Sequence, residues 1–222
     1  MRLFIPIIAL AILVGYLLRG RLSRLEHLPL RWWWFVLAGL VVQFFPLPEG
    51  EGGRDLLVRT GVLAISYGLL LLFAVANLRL SGMWLIALGL ACNGLVIVAN
   101  GGMPVGEEAL RDSGQTELLE VLIEQGADKH HLLADDDVLT FLADVIAVPA
   151  PVGQVISIGD VFVYAGLMWL IVWAMREPTP SAIPKETGRR HGKHRPGAAD
   201  AHRDPAPPAE PPPAATTWGT GR

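Results

Sequence analysis

Two aspartates, Asp144 and Asp160, each stand between aliphatic residues. By contrast, residues 135–137 are three consecutive aspartates, a pattern typical of a solvated surface. If two carboxyl groups converge in a partly buried place, desolvation and like-charge repulsion raise one pKa. One acid can then hold a proton while the other acts as a base toward water. We interpret Asp144 and Asp160 as a candidate catalytic pair. The alternative is that Asp160 or Ser157 caps a helix and Asp144 faces solvent.

A second candidate part of a site is the segment NGGMPV at residues 100–105. Its glycines free the backbone to turn, and the proline then stiffens it. One interpretation is a substrate-binding turn, and the other is a helix C-cap with an exit turn. The substrate-binding candidates are Asn100, Gly101, Gly102, Met103, Pro104 and Val105. Asn93 lies seven residues before Asn100, on the same helix face. It either extends an outer site toward the membrane centre or makes a helix–helix hydrogen bond.

Metal and cofactor chemistry is not expected from the residue types. His130 and His131 are adjacent, so they cannot point the same way on a helix, and no third ligand follows at a diagnostic spacing. Cys92 is the single cysteine, which excludes a disulfide framework and a cysteine-based metal site. We therefore predict no metal and no cofactor.

The elements that must position these residues are apolar helices. The chain has 222 residues, of which 52% are apolar, and its charges are crowded between long uncharged runs. A bilayer core needs roughly 20 helical residues, with about 17 as a lower limit. The runs that approach this length are 3–18, 32–47, 60–78, 83–99 and 155–174. The predicted fold is all-α, an integral membrane bundle of five transmembrane helices.

The basic residues predict how this bundle is oriented. The first and third connections and the C-terminal tail together carry 13 of the 18 Lys and Arg residues. Such segments remain in the cytoplasm, so the N-terminus is expected outside and the C-terminus inside. Trp32, Trp33 and Trp34 follow Arg31 directly, where an aromatic belt meets the headgroups. The predicted location is a bacterial inner membrane, with the lipid bilayer as partner and no nucleic acid.

The chain divides into a transmembrane domain, 1–175, and a tail, 176–222. From Glu177 onward the tail contains ten prolines, and it is predicted to be disordered and cytoplasmic. The domain contains an outer loop, 100–158, that is strongly acidic. Within the loop, 117–125 predicts an amphipathic surface helix. The apolar piece 138–152 is too short to span and is broken by prolines, which favours an interfacial or re-entrant segment beside a cavity.

Four blocks carry a resemblance to known proteins: NGGMPV, KHHLL, FLADVIAVP and VISIGDVFVYAG. In this order they resemble an uncharacterised family of bacterial membrane proteins with a domain of unknown function, over residues 1–175. The surroundings of Asp144 and Asp160 are also similar to the two aspartate blocks of lipoprotein signal peptidases. That resemblance implies two catalytic aspartates at the outer membrane face, with Asn100 in the family's asparagine block. Val161 stands where that family has a serine.

Two functions follow as hypotheses. The first is aspartate-dependent hydrolysis of a lipid-linked or membrane-embedded peptide substrate, with Asp144 and Asp160 sharing a proton and Asn100 orienting the substrate. The second is a non-enzymatic membrane scaffold, or a binding or transport component, whose acidic outer loop attracts cations or a basic partner.

Overall fold

A computed structural model describes residues 2–44, 52–125 and 129–177. The predicted disordered tail beyond position 177 lies outside the described residues. Each of the five apolar runs contains a helix. These helices are α1 (Phe4–Leu17), α2 (Trp34–Val42), α3 (Gly53–Ala76), α4 (Met83–Asn100) and α7 (Ile158–Arg176). Short 3₁₀ turns lie at Leu22–His27 and Thr140–Leu142.

Three helices of the described residues, α3, α4 and α7, are long and apolar enough to cross a membrane. This confirms a mostly helical protein of membrane type. α1 is apolar but has only 14 residues, and α2 has nine. At 1.5 Å per residue, α2 is about 14 Å long. It is therefore too short to cross a bilayer core of about 30 Å by itself.

The five helices alternate in direction. At the start of α1, the backbone N–H of Leu3 donates to Gln154 Oε1 at 3.1 Å, just before α7 begins. Asn77, which follows α3, donates to the carbonyl of Arg31 and accepts from its N–H, both at 2.8 Å, just before α2. Arg59 near the start of α3 donates to the carbonyl of Gly101 after α4. The starts of α1, α3 and α7 therefore share one end of the bundle with residues 100–157.

α4 and α7 pack closely because glycines face each other along the contact. A Cβ on Gly166 would lie 2.7 Å from the carbonyl oxygen of Gly82, and one on Gly159 would lie 2.9 Å from that of Gly89. Such distances leave no room for any side chain. Small residues are the usual means by which two apolar helices bring their backbones together. This contact fixes the position of the first turn of α7 against the middle of α4.

The outer loop folds into a small mixed module. It contains α5 (Glu107–Ser113) and α6 (Thr116–Gln125), the second of which confirms the helix predicted at 117–125. Four three-residue strands, absent from the all-α prediction, complete it: β1 (Met103–Val105), β2 (His130–Leu132), β3 (Ile146–Val148) and β4 (Gln154–Ile156). β1 pairs in parallel with β2, and β3 pairs antiparallel with β4. Strands this short are too brief to show an alternating pattern in the sequence.

The module has its own apolar core, which explains why it holds a defined shape. Val105, Leu110, Leu119 and Leu122 are each at most 5% exposed and pack together with Val155. They bring β1, β4 and both short helices into contact. The segment 138–152 contains the 3₁₀ turn Thr140–Leu142 and strand β3, which pairs with β4.

Candidate functional site

A cavity of about 320 Å³ lies where the helices meet the outer module. Side chains of α1, α3, α4 and α7 line it together with residues of the module. Both predicted catalytic residues, Asp144 and Asp160, are among them. The other polar residues of the lining are Gln43, Tyr67, Asn93, Gln115, Lys129, His130, Gln154 and Tyr164. The structure thus brings the two aspartates to one partly enclosed space, as the spacing alone could not show.

Asp160 lies in the first turn of α7 and is held by three hydrogen bonds. Its Oδ1 accepts from Asn93 Nδ2 at 2.7 Å, and its Oδ2 accepts from the backbone N–H of Ser157 at 3.4 Å. In return the Ser157 hydroxyl accepts from the Asp160 N–H at 3.0 Å, which completes a capping box. The Ser157 hydroxyl also donates to Asn93 Oδ1 at 2.9 Å. Asp160 therefore caps the helix, as the alternative held, and also lines the cavity.

Asp144 lies between the 3₁₀ turn and β3, and its backbone is pinned to the segment after α4. Its N–H donates to the carbonyl of Pro104 at 3.0 Å, and its carbonyl accepts from Gly106 N–H at 2.9 Å. The residue is 9% exposed, so it does not face solvent as the alternative supposed. Within the described residues, its buried Oδ1 has no hydrogen-bond partner.

The protonation of Asp144 follows from this environment. Desolvation by burial, and then the nearby charge of Asp160, raise the pKa of Asp144 from 3.8 to about 8. A carboxyl group with such a pKa is neutral at pH 7 and can donate a proton. The two aspartates also differ in their hydrogen bonding. Asp160 accepts hydrogen bonds from an amide and a backbone N–H, while Asp144 has an oxygen without a partner in the described residues.

The segment 100–105 supports the site more than it lines it. The Asn100 side chain donates to the carbonyls of Val96 and Val138 at 3.0 and 2.9 Å, and accepts from Val138 N–H at 2.8 Å. Gly101, with φ +70°, ends α4 in the left-handed conformation. This is the helix C-cap and exit turn of the alternative interpretation. Of the six substrate-binding candidates, only Met103 and Val105 line the cavity.

Several lining residues were not selected from the sequence, although a signal for them existed. Tyr67, Asn93 and Tyr164 are polar residues inside apolar runs, and such residues are costly unless they serve a structure or a site. Asn93 was noted for its position, and it contacts Asp160 directly. Lys129 reaches the cavity from the module and donates to the backbone carbonyl of Gln43, which directly follows α2. Nothing in the local sequence indicates that contact.

His130 and His131 lie in strand β2 of the module. His131 contacts Asp137 Oδ1 through Nε2 at 2.9 Å, and this pair lies in the outer module. Within the described residues, no group of three His, Cys, Asp or Glu side chains is close enough to hold a metal ion.

The fold and the site define a mostly helical protein of membrane type, with a cavity of mixed polar and apolar lining between the helices and the module. The chain belongs to the family of unknown function DUF5317, whose family model matches residues 27–172. It is also 35% identical over 128 residues to an uncharacterized protein of Thermotoga maritima. That match covers 55% of this chain and 70% of the relative. No solved structure matches the chain. The region matched by the family includes Asp144, Asp160 and Asn93.

Proposed function

We propose that the chain crosses a bacterial inner membrane five times, with its N-terminus outside and its C-terminus inside. The alternating helix directions support an odd number of crossings. The end of the bundle opposite the module carries Arg19, Arg21, Arg24, Arg31, Arg79 and Arg176. Five basic residues lie at the module end, and the tail, which this proposal places on the arginine side, adds seven more to the six. That side would then carry 13 of the 18 Lys and Arg residues, an excess typical of a cytoplasmic face. At the end of the short helix α2, the module contacts the backbone carbonyl of Gln43 through Lys129.

We propose further that Asp144 and Asp160 form an acid–base pair that hydrolyses a lipid-linked or membrane-embedded peptide substrate. The observation that carries this proposal is that both acids line one cavity in unlike environments. Pairs of titratable groups whose surroundings separate their protonation states are the usual mark of an acid and a base in one site.

The chemistry assigns one role to each acid. Asp160 takes a proton from a water molecule, whose oxygen forms a bond to the carbonyl carbon of an ester or amide. The bond from that carbon to the leaving oxygen or nitrogen then breaks, and Asp144 donates its proton to the leaving group. Water supplies the hydroxyl group of the released acid, and its other proton, which Asp160 holds, passes to Asp144 to replace the proton given to the leaving group and restore the starting state. General acid–base catalysis of this kind contributes about 10²- to 10⁴-fold.

The experiment uses the full chain in nanodiscs with bacterial lipid extract and synthetic diacylated lipopeptides, in water enriched in ¹⁸O. Mass spectrometry should find ¹⁸O in a released acid, and Asp144→Asn and Asp160→Asn should each reduce its rate at least about 100-fold. Asp135→Asn, in the exposed acidic run, is the matched control and should retain the rate. Incorporation no greater than in empty nanodiscs would overturn the hydrolase proposal and leave a binding or transport component as the better account.

A further inference from the structure

The bundle has an open side between α1 and α2. α1 packs against α7, and α2 packs against α3. In the described ranges, α1 and α2 share no packed interface with each other. Phe4 of α1 and Gln43 after α2 both line the cavity. The gap between these two helices therefore adjoins the cavity.

The walls of this opening suit hydrocarbon. Phe4 packs its ring edge-on against Tyr164, with centroids 5.3 Å apart. Farther in, Leu63 and Tyr67 of α3 line the cavity. Phe44, directly after Gln43, is 86% exposed, which is unfavourable in water and natural beside acyl chains. An apolar chain entering between α1 and α2 would pass these side chains on its way to the aspartates.

A positive charge stands at the top of the opening. Residues 100–159 contain two basic side chains, Arg111 and Lys129, against eleven acidic ones. Arg111 is paired with Glu107 at 2.5 Å on the exposed surface of α5. Lys129 lines the cavity instead and contacts the backbone carbonyl of Gln43, and no carboxylate of the described residues lies within salt-bridge distance of it.

We propose that the opening between α1 and α2 admits one acyl chain of a lipid with an anionic head, which Lys129 binds. The ligand class is thus a membrane lipid or lipid-linked molecule that carries a negative charge near the glycerol level. The chemistry performed on it rests on the proposed function, whereas the binding does not.

The test uses the full chain in nanodiscs that contain phosphatidylglycerol or phosphatidylcholine with a diazirine in one acyl chain. After photolysis, mass spectrometry should find label on Leu63 and Tyr67, the two α3 side chains that line the cavity. Ile65, 59% exposed on the same helix, reports ordinary contact with surrounding lipid. Phosphatidylglycerol should label Leu63 and Tyr67 about fivefold more than phosphatidylcholine, since one lysine near anionic lipid contributes about this factor.

Lys129→Gln should bring the two lipids to equal labelling at Leu63 and Tyr67 while leaving Ile65 unchanged, which also verifies that the variant is folded. Label confined to Ile65 and other outward residues would overturn the proposal. Equal labelling by both lipids in the unaltered chain would overturn the role of Lys129. Asp144→Asn should keep the labelling and lose ¹⁸O incorporation, so the failure of either proposal is recognisable without the other.

Discussion

At the scale of single residues, Asp144 is the most informative group because it is buried without a partner for Oδ1 in the described part of the chain. Its folded-state pKa of about 8 lies above its unfolded value of 3.8, so the folded protein binds more protons between these values. Folding stability must then fall as pH rises through this window. At low pH the neutral carboxyl group is tolerated, and above about pH 8 the full cost of burying its charge is present.

Asp144→Asn removes this dependence. Between pH 5 and pH 9 the free energy of unfolding of the unaltered protein should fall by about 2–4 kcal/mol more than that of Asp144→Asn. Thermal or denaturant unfolding in detergent measures the difference. Asp135→Asn, an exposed acid, should behave like the unaltered protein. Parallel pH profiles for Asp144→Asn and the unaltered chain would show that Asp144 ionises normally.

Asn93 links α4 to the first turn of α7, since its amide nitrogen donates to Asp160 and its amide oxygen accepts from Ser157. Asn93→Ala leaves the buried carboxylate without its shortest hydrogen bond, so we expect a loss of about 1.5–3 kcal/mol in unfolding free energy. Val98→Ala, on the same helix but 44% exposed, should cost much less in the same measurement. Similar losses of unfolding free energy for both variants would show that the hydrogen bonds of Asn93 add nothing beyond ordinary packing.

At the scale of elements, the contact between α4 and α7 decides whether the site exists. It holds Asp160 at the depth of Asn93, and its closeness depends on glycine rather than on large apolar side chains. α3 provides a comparison, because a Cβ on Gly68 would meet nothing within 4 Å. Glycine is therefore needed for the contact between α4 and α7, whereas Gly68 of α3 makes no such contact.

Gly166→Ala should destabilise the protein by more than about 2 kcal/mol, because the added methyl group would meet the Gly82 carbonyl and force the helices apart. Gly68→Ala should be neutral or stabilising by up to about 1 kcal/mol, since alanine favours the helix more than glycine does. Thermal unfolding of both variants in one detergent tests this. Equal effects would mean that α4 and α7 are not in close contact.

At the scale of the whole molecule, the proposed topology places the module outside the cell and the arginine-rich end in the cytoplasm. In a Cys92→Ala background, Asp135→Cys should react with a membrane-impermeant maleimide in intact cells. Glu26→Cys, exposed in the Leu22–His27 turn, should react only after lysis. The opposite pattern would invert the orientation, and labelling of both in intact cells would contradict a membrane-spanning arrangement.

The helices themselves could be predicted, because an apolar run long enough to be helical leaves the backbone no other way to satisfy its hydrogen bonds in lipid. All five runs contain a helix, and α6 follows from its amphipathic stripe. The end of α2 at Val42 could not be predicted, since the run 32–47 continues past it and its helix-breaking residue, Pro46, comes four positions later. The strands of the module were also missed, because three residues carry no measurable period.

The sequence by itself determined the helical segments, the crowding of arginine at alternate connections and the two aspartates in apolar surroundings, because these depend on composition and local spacing. Only the tertiary structure decided that Asp144 and Asp160 share a cavity, that Asn93 holds Asp160, and that Asn100 serves the turn after α4. These outcomes depend on contacts between residues 38 to 67 positions apart. The contact between Asn93 and Asp160 depends on how closely the glycines let α4 and α7 approach, and that between Asn100 and Val138 depends on how the module folds back onto the end of α4. No local pattern encodes either.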